Sequence, residues 1–502
     1  MLYQQSNSRK FGASTAIISD GRHFSYNQLI DHAESLAYEI LQNKSDLDES
    51  PVAYMVNPGF NYVKSQWAIW LAGGIAVPIA VAHPMDSIKY ILDDTGAKTF
   101  ICSENFESLI SDYCQQKDIR LIVLKMVPEQ AEVESGELKV EGSGLPQIDM
   151  NRGAMILYTS GTTSLPKGVL TTHFCIESQI KALVEAWEYT PNDHSLCVLP
   201  LHHIHGIINV ISCTLYVGGK VEFLPSFSAE AIFARFEQNE LNVFMAVPTI
   251  YFKLITYLES LTEEQRSFYK SIMQKFRLMI SGSAALPVSV MEKWESLSGQ
   301  RLLERYGMTE IGMAISNPYH GERRAGHVGQ PLPNVQVRLV DEENKLVEFG
   351  QPGEIQIKGP NVFKEYWGKE KATQEAFVDG WFKTGDVAEL NKGYYKILGR
   401  NSTDIIKSGG YKLSALEIEE VLRTHEMVSD CSVIGLPDEE WGEVVAAVVI
   451  AESSELSSEI LNQFMRTKMP AYRVPRKYLF VQELPRNAMG KVTKNDLKIL
   501  FK

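Results

Sequence analysis

Apolar positions along this chain switch repeatedly between two periods. In AEAIFARFEQNEL, Ala229 to Leu241, the residues Ile232, Phe233, Phe236 and Leu241 recur at roughly helical spacing with charges opposite. NVFMAVP follows at once, an apolar run of strand length stopped by Pro248. The same succession appears in the helical stretch ending at Lys275 and the FRLMISG after it. The apolar run from Trp67 to Ala82 is broken by Gly73-Gly74 and Pro78. It is too short for a membrane span and predicts a buried helix, a turn and a buried strand. Repeated helix-strand alternation predicts an α/β fold of helix-covered, mainly parallel sheets.

Near Gly399-Arg400 the texture changes. YYKILGR ends a strand-like run, and NSTDIIKSGGYKLSALEIEEVL turns into a charged helix with Ile418, Val421 and Leu422 on one side. CSVIGLP and VVAAVVIA then read as strands before the basic stretch RNAMGKVTK. At 502 residues the chain exceeds one ordinary core. The expected division is a large domain over 1–400, a hinge near 400–404 and a small mobile α+β domain over 401–502.

Composition narrows the class. Hydrophobic residues make up 44% and charged residues 22%, as in a soluble globular enzyme. A net charge of -13 excludes a general nucleic-acid binder, which needs a basic face to displace counterions. The six cysteines are scattered without metal spacing, so free buried thiols in a reducing compartment are expected. MLYQQSNSRKFGAST has no apolar core of signal-peptide length, and a cytoplasmic location is expected. The partners are therefore small molecules, with no membrane span, and the protein itself a monomer or homodimer.

YTSGTTSLPKGV, Tyr158 to Val169, is the most specific string. Thr159, Ser160, Thr162 and Thr163 surround Gly161, and Lys167 and Gly168 close the loop. Hydroxyls, close-approaching backbone and a lysine point charge suit phosphate oxygens. A P-loop needs glycine before its lysine and a hydroxyl after it. Here Pro166 precedes Lys167 and Gly168 follows, so that pattern fails.

The string resembles the phosphate loop of the adenylate-forming superfamily. LERYGMTE, WFKTGDVA, LGRNSTDIIKSGGYKLSALEIE and LPRNAMGKVTK resemble four further motifs of that superfamily, in its order and across nearly the whole chain. The resemblance implies that a carboxylate attacks the α-phosphate of Mg-ATP, and that coenzyme A then displaces AMP. It implies that Thr159, Ser160, Gly161, Thr162, Thr163 and Lys167 hold the β- and γ-phosphates. Thr309 would touch the α-phosphate and Glu310 would bind Mg²⁺. Asp386 would accept the ribose hydroxyls beside Arg400. Ser283, Ala284, Glu304 and Tyr306 would flank the adenine. Lys491 would reach the reacting carboxylate from the small domain. On rotation, Lys407, Gly409, Gly410 and Tyr411 would serve the coenzyme A side. The usual hinge position is Ser402; the segment from Arg400 to Gly409 is one residue longer than in many members, which makes Asp404 a second candidate.

LHHIHG, Leu201 to Gly206, holds three histidines without the i, i+4 spacing of a helical metal site. The resemblance places His203 at the acyl pocket wall, with a packed loop histidine as the alternative. The identity of the acid rests on SNPYHGERRAGHVG, Ser316 to Gly329. A guanidinium near an acyl pocket is costly unless it meets an anion, and its fork suits a carboxylate. With PLHHIHG and SGSAALP, this string is similar to the malonyl-CoA synthetases of the superfamily. That similarity implies Arg323 as ligand of a distal carboxylate, Arg324 in support, and Ser281, Met308 and His203 lining a short pocket. Methylmalonate is a further acceptable acid. Other short or aromatic carboxylates, and a carrier protein in place of coenzyme A, remain open.

Overall fold

The computed structural model describes residues 9–125, 144–159, 165–224, 227–486 and 491–501. Four sheets organise these residues. One has nine strands, and its central strands, from Thr15–Ser19 to Leu303–Met308, pair in parallel. A seven-stranded sheet likewise has a parallel centre, with antiparallel Lys167–Thr172 and Glu365–Tyr366 at one side. A third sheet of five strands is antiparallel and includes Trp381–Asn391 and Tyr394–Arg400. The α/β expectation holds for this body.

The alternation seen in sequence has a packing cause. Ile232, Phe233 and Phe236 are fully buried on one face of the helix Ala229–Glu237, beneath which Val243–Ala246 runs as an interior strand. Leu241 is buried too, but outside the helix. The helix stops at Glu237 because Asn239 takes a left-handed φ of 54°. Trp67 to Ala82 folds as the end of the helix Phe60–Leu71, a turn and the strand Ile75–Pro78. Trp67 and Trp70 are buried there. Among the described residues, no helix is long and apolar enough to cross a membrane.

After Arg400 the backbone makes one helical turn, with Asp404 N–H donating to Arg400 O at 2.8 Å, and enters the fourth sheet. Hairpin Ile405–Ser408 and Tyr411–Ser414 leads to the helix Ala415–Leu422. The strands Val428–Asp438 and Gly442–Ala451 pair over most of their length. This small body keeps its own apolar cluster, in which Ile418 and Val433 join Val445, Ala447 and Val449, alternate residues on one face of a strand. It touches the larger body through few polar contacts. Glu420 accepts from Val288 N–H at 3.0 Å, capping the first turn of the helix Val288–Ser298, and Lys396 pairs with Glu417 at 2.5 Å.

Candidate active site

The site lies where the larger body meets the small one. The strands Gly153–Thr159 and Lys167–Thr172 are antiparallel, and Thr159 stands opposite Lys167. The proposed phosphate loop therefore joins two fixed strand ends; its Ser160, Gly161, Thr162 and Thr163 lie outside the described residues. Lys167 Nζ sits 4.9 Å from the ring centre of Tyr366. Tyr366 Oη donates to Glu310 Oε1 at 3.1 Å. Glu310 and Thr309 occupy the tight turn between Leu303–Met308 and Gly312–Ser316. Burial pushes the Glu310 pKa up. Tyr366 thus joins Lys167 to Glu310, and nothing in its local sequence marks it.

A second node forms around Asp386. It stands opposite Arg400 in the strand register. Arg400 Nε donates to Asp386 Oδ1 at 2.9 Å, and Tyr306 Oη donates to Oδ2 at 2.7 Å. Burial alone would lower the Arg400 pKa, but Asp386 and Tyr306 outweigh it and raise it. Arg400 Nη2 also donates to Asp386 Oδ2, at 3.5 Å, so three donors meet a carboxylate with about four acceptor positions and some acceptor capacity remains. Nearby, Ser283 adopts a left-handed φ of 70° and hydrogen-bonds His205 Nδ1 at 3.1 Å. Glu304 accepts from Leu286 N–H at 3.1 Å and so braces the Ser281–Pro287 segment that carries Ala284. Burial pushes Glu304 up to about 8, which leaves it mainly neutral at pH 7.

The third group contains a residue absent from the sequence expectations. Alternation along Leu303–Met308 puts Arg305 on the face opposite Glu304 and Tyr306. Arg305 is buried, and its Nε and Nη2 have no hydrogen-bond partner among the described residues. Gly282 lies directly against it: a Cβ there would stand 2.4 Å from Arg305 Cζ. Burial pushes the Arg305 pKa down to about 9, and burial followed by the Arg305 charge lowers that of His205. His203 falls to about 4 through burial and the charge of Lys491. The His202 and His203 rings lie tilted against each other with centres 3.9 Å apart. A neutral imidazole, that of His205, therefore neighbours a buried guanidinium with two nitrogens unpartnered among the described residues. Ser281 Oγ is also buried without a partner among the described residues, and Met308 is half-buried close by in sequence. Among the described residues, no group of three or more His, Cys, Asp or Glu side chains is arranged to hold a metal ion.

Arg323 is placed differently from the expectation. Its Nη1 donates to Arg301 O at 2.7 Å and its Nη2 to Tyr319 O at 3.1 Å. The guanidinium is spent on closing a loop. Arg324 lies 4.2 Å over the Tyr394 ring and pairs with exposed Glu322 at 3.0 Å. The Arg323 fork is satisfied by main chain, whereas the Arg305 fork has two nitrogens without a hydrogen-bond partner among the described residues. The sequence signal was the charged residue inside ERYGMTE, read only for its nucleotide contacts.

From the small body, Lys491 approaches these groups. It keeps some solvent exposure, yet burial and then Arg400 lower its pKa, with Asp386, Arg305 and Asp404 also within electrostatic reach. Ser402 is exposed in the connecting turn. The hairpin with Lys407, Gly409, Gly410 and Tyr411 sits at the outer edge of the third sheet, where adjacent Lys412 pairs with Glu342 at 2.7 Å. Tyr411 stacks on Tyr472 with ring centres 4.6 Å apart.

The AMP-binding enzyme family model matches residues 4–367, and the model of the AMP-binding enzyme C-terminal domain matches 417–491. The chain belongs to the AMP-binding enzyme family. Among similar members, the malonate–CoA ligase ACSF3 of Xenopus laevis, named as mitochondrial, is 43% identical, covering 98% of this chain and 90% of that protein. A malonate–CoA ligase of Arabidopsis thaliana is 39% identical, over 96% of this chain and 85% of its own. ATP-bound MatB from Rhodopseudomonas palustris superposes with a TM-score of 0.90 at 31% identity, covering 100% of this chain and 99% of that one.

Proposed function

We propose that this AMP-binding enzyme is an ATP-dependent ligase joining malonate to coenzyme A through malonyl-AMP, with methylmalonate as a second acid. The observation that carries the reading is Arg305, a buried guanidinium with two nitrogens unpartnered among the described residues, near neutral His205. A monocarboxylate would leave that charge uncompensated, whereas a short diacid brings its own counterion. Relatives named malonate–CoA ligase, aligned over nearly the whole chain, support the same acid.

The chemistry follows from the three groups. One carboxylate of the acid attacks the α-phosphorus of ATP, the bond to the β-phosphate oxygen breaks, and pyrophosphate leaves. Asp386 and Arg400 orient the ribose, Thr309 faces the α-phosphate, and Thr159, the adjoining loop and Lys167 hold the outer phosphates. Glu310 is a hard oxygen donor with one hydrogen-bond partner, which fits Mg²⁺; the metal when bound neutralises triphosphate charge. Lys491 neutralises charge between the attacking carboxylate and the α-phosphate. The coenzyme A thiol then attacks the carbonyl carbon and AMP leaves. For this second step the domain 401–502 rotates against 1–400 about 400–404, withdrawing Lys491 and bringing the Lys407–Tyr411 hairpin to the site. The six buried cysteines are free thiols, consistent with a reducing compartment such as the cytoplasm or the interior of a mitochondrion.

The test is coenzyme A-dependent AMP release with malonate, methylmalonate, succinate, acetate, octanoate and benzoate side by side. Malonate is expected to give the highest kcat/KM, and greater activity with acetate or octanoate would overturn the reading. Methylmalonate should trail by about 10- to 200-fold at most, since one methyl group in an apolar pocket discriminates no further. A smaller effect is expected at the ribose node. Tyr306→Phe removes one donor to Asp386 and should raise the KM for ATP by about threefold to tenfold, read from ATP titrations at saturating malonate.

A further inference from the structure

Three residues beyond Lys491, at the start of the helix Lys494–Ile499, a second lysine is buried. Lys494 Nζ stands 2.8 Å from Asp404 Oδ1 and 2.9 Å from Glu419 Oε1, and only 10% of its side chain is exposed. Both carboxylates are tied elsewhere as well. Asp404 Oδ2 accepts from Arg400 N–H at 2.9 Å, and Arg400 in turn grips Asp386. Glu419 Oε1 accepts from Val433 N–H at 2.8 Å. Gly399, with a φ of 127°, lets Asp404 tuck against the strand end: a Cβ at 399 would stand 2.3 Å from that of Asp404. Beside Lys494, Arg486 and Val492 form a bridge, Thr493 N–H donates to Pro485 O at 2.9 Å, and Arg486 Nη2 reaches Asp430 Oδ2 at 2.6 Å. Lys494, three residues after Lys491, links this part of the chain through Asp404 and Arg400 to the Asp386 carboxylate.

We propose that Lys494 is a positioning residue for adenylation, fixing through Asp404 where the Lys491 ammonium meets the site. The proposal deepens the adenylation reading and rests on it. Burial opposes the charge of Lys494, but Glu419 and Asp404 outweigh it and raise its pKa, so the tether stays ionised. A merely structural lysine would, when lost, weaken both half-reactions through the small domain as a whole. A positioning lysine affects the step that uses Lys491 and spares the other.

The variants are Lys494→Ala, Lys494→Arg and Asp404→Asn, each measured for single-turnover pyrophosphate release and, separately, for thioester formation from supplied malonyl-AMP. Lys494→Ala and Asp404→Asn are expected to slow pyrophosphate release by about 10- to 100-fold, the scale on which misplacement by about 1 Å acts, with KM for ATP little changed. Thioester formation should stay within about twofold, and Lys494→Arg should recover pyrophosphate release to within about threefold, since its fork also reaches carboxylates. Equal loss of both steps, or no loss of pyrophosphate release in Asp404→Asn, would overturn the proposal. Should Lys494→Ala fail to fold, Asp404→Asn decides, because it keeps the Lys494–Glu419 pair. Wild-type enzyme releasing no pyrophosphate with any acid would instead defeat the adenylation reading.

Discussion

Arg305→Leu is expected to raise the KM for malonate by about 100-fold or more while the KM for ATP stays within about twofold. Truncating one partner of a buried, hydrogen-bonded charge pair costs about 2–5 kcal/mol, which sets that scale. The same substitution should raise the melting temperature of the ligand-free enzyme. Without substrate, the Arg305 fork has two nitrogens unpartnered among the described residues, and Glu304 beside it is pushed up to about 8 and so is a poor counterion at pH 7. Burial pushes the Arg305 pKa down, so the folded protein bears the cost of burying its charge. Leucine of similar depth removes the cost altogether. Activity and stability therefore move in opposite directions, read by malonate kinetics and thermal melts on the same preparations. Arg323→Ala is the counterpart: malonate KM near wild type and a lower melting temperature, because two loop carbonyls lose their donors. The reverse pattern would return the ligand role to Arg323.

Lys491→Ala should slow adenylation by about 100-fold or more and leave thioester formation from supplied malonyl-AMP within about threefold. In the proposed mechanism its ammonium neutralises charge during adenylation and is withdrawn for the second step. Burial and Arg400 lower its pKa, so kcat/KM for adenylation should fall on the alkaline side before the ordinary lysine value of about 10.4 is reached. Lys491→Arg should remove that alkaline limb whatever its maximal rate, since a guanidinium does not deprotonate in this range. An unchanged limb in Lys491→Arg would assign it to another group. Equal loss of both half-reactions in Lys491→Ala would contradict alternation between two domain arrangements.

Much of the fold was legible because burial writes itself into period. Ile232, Phe233 and Phe236 mark one helix face, and the run from Trp67 to Ala82 spells out helix, turn and strand. Boundaries were less legible: nothing in FEQNEL shows that Asn239 turns left-handed and ends the helix before Leu241. The pairing of Asp386 with Arg400 was legible as two strings, because they sit in register on neighbouring strands. The arginine proposed for the acid was not. Local sequence shows the pair Arg323-Arg324 in a glycine-flanked loop, but not the carbonyls of Arg301 and Tyr319 that fold back to occupy one of them. Nor does it show that Gly282, on an earlier segment, lies against Arg305. Tyr366 and Lys494 were hidden likewise, since their partners come from distant segments.

The contact between Gly282 and Arg305 also constrains how this pocket can change over generations. Any side chain at 282 meets the guanidinium, so a first substitution there disturbs the proposed carboxylate ligand before it reshapes the pocket. A change at Arg305 to a smaller residue removes the collision and opens 282 to variation. The two positions therefore have a preferred order of mutation, with 305 first. A lineage that abandons diacids can afterwards refill the space from 282, and a lineage that keeps them holds glycine in place.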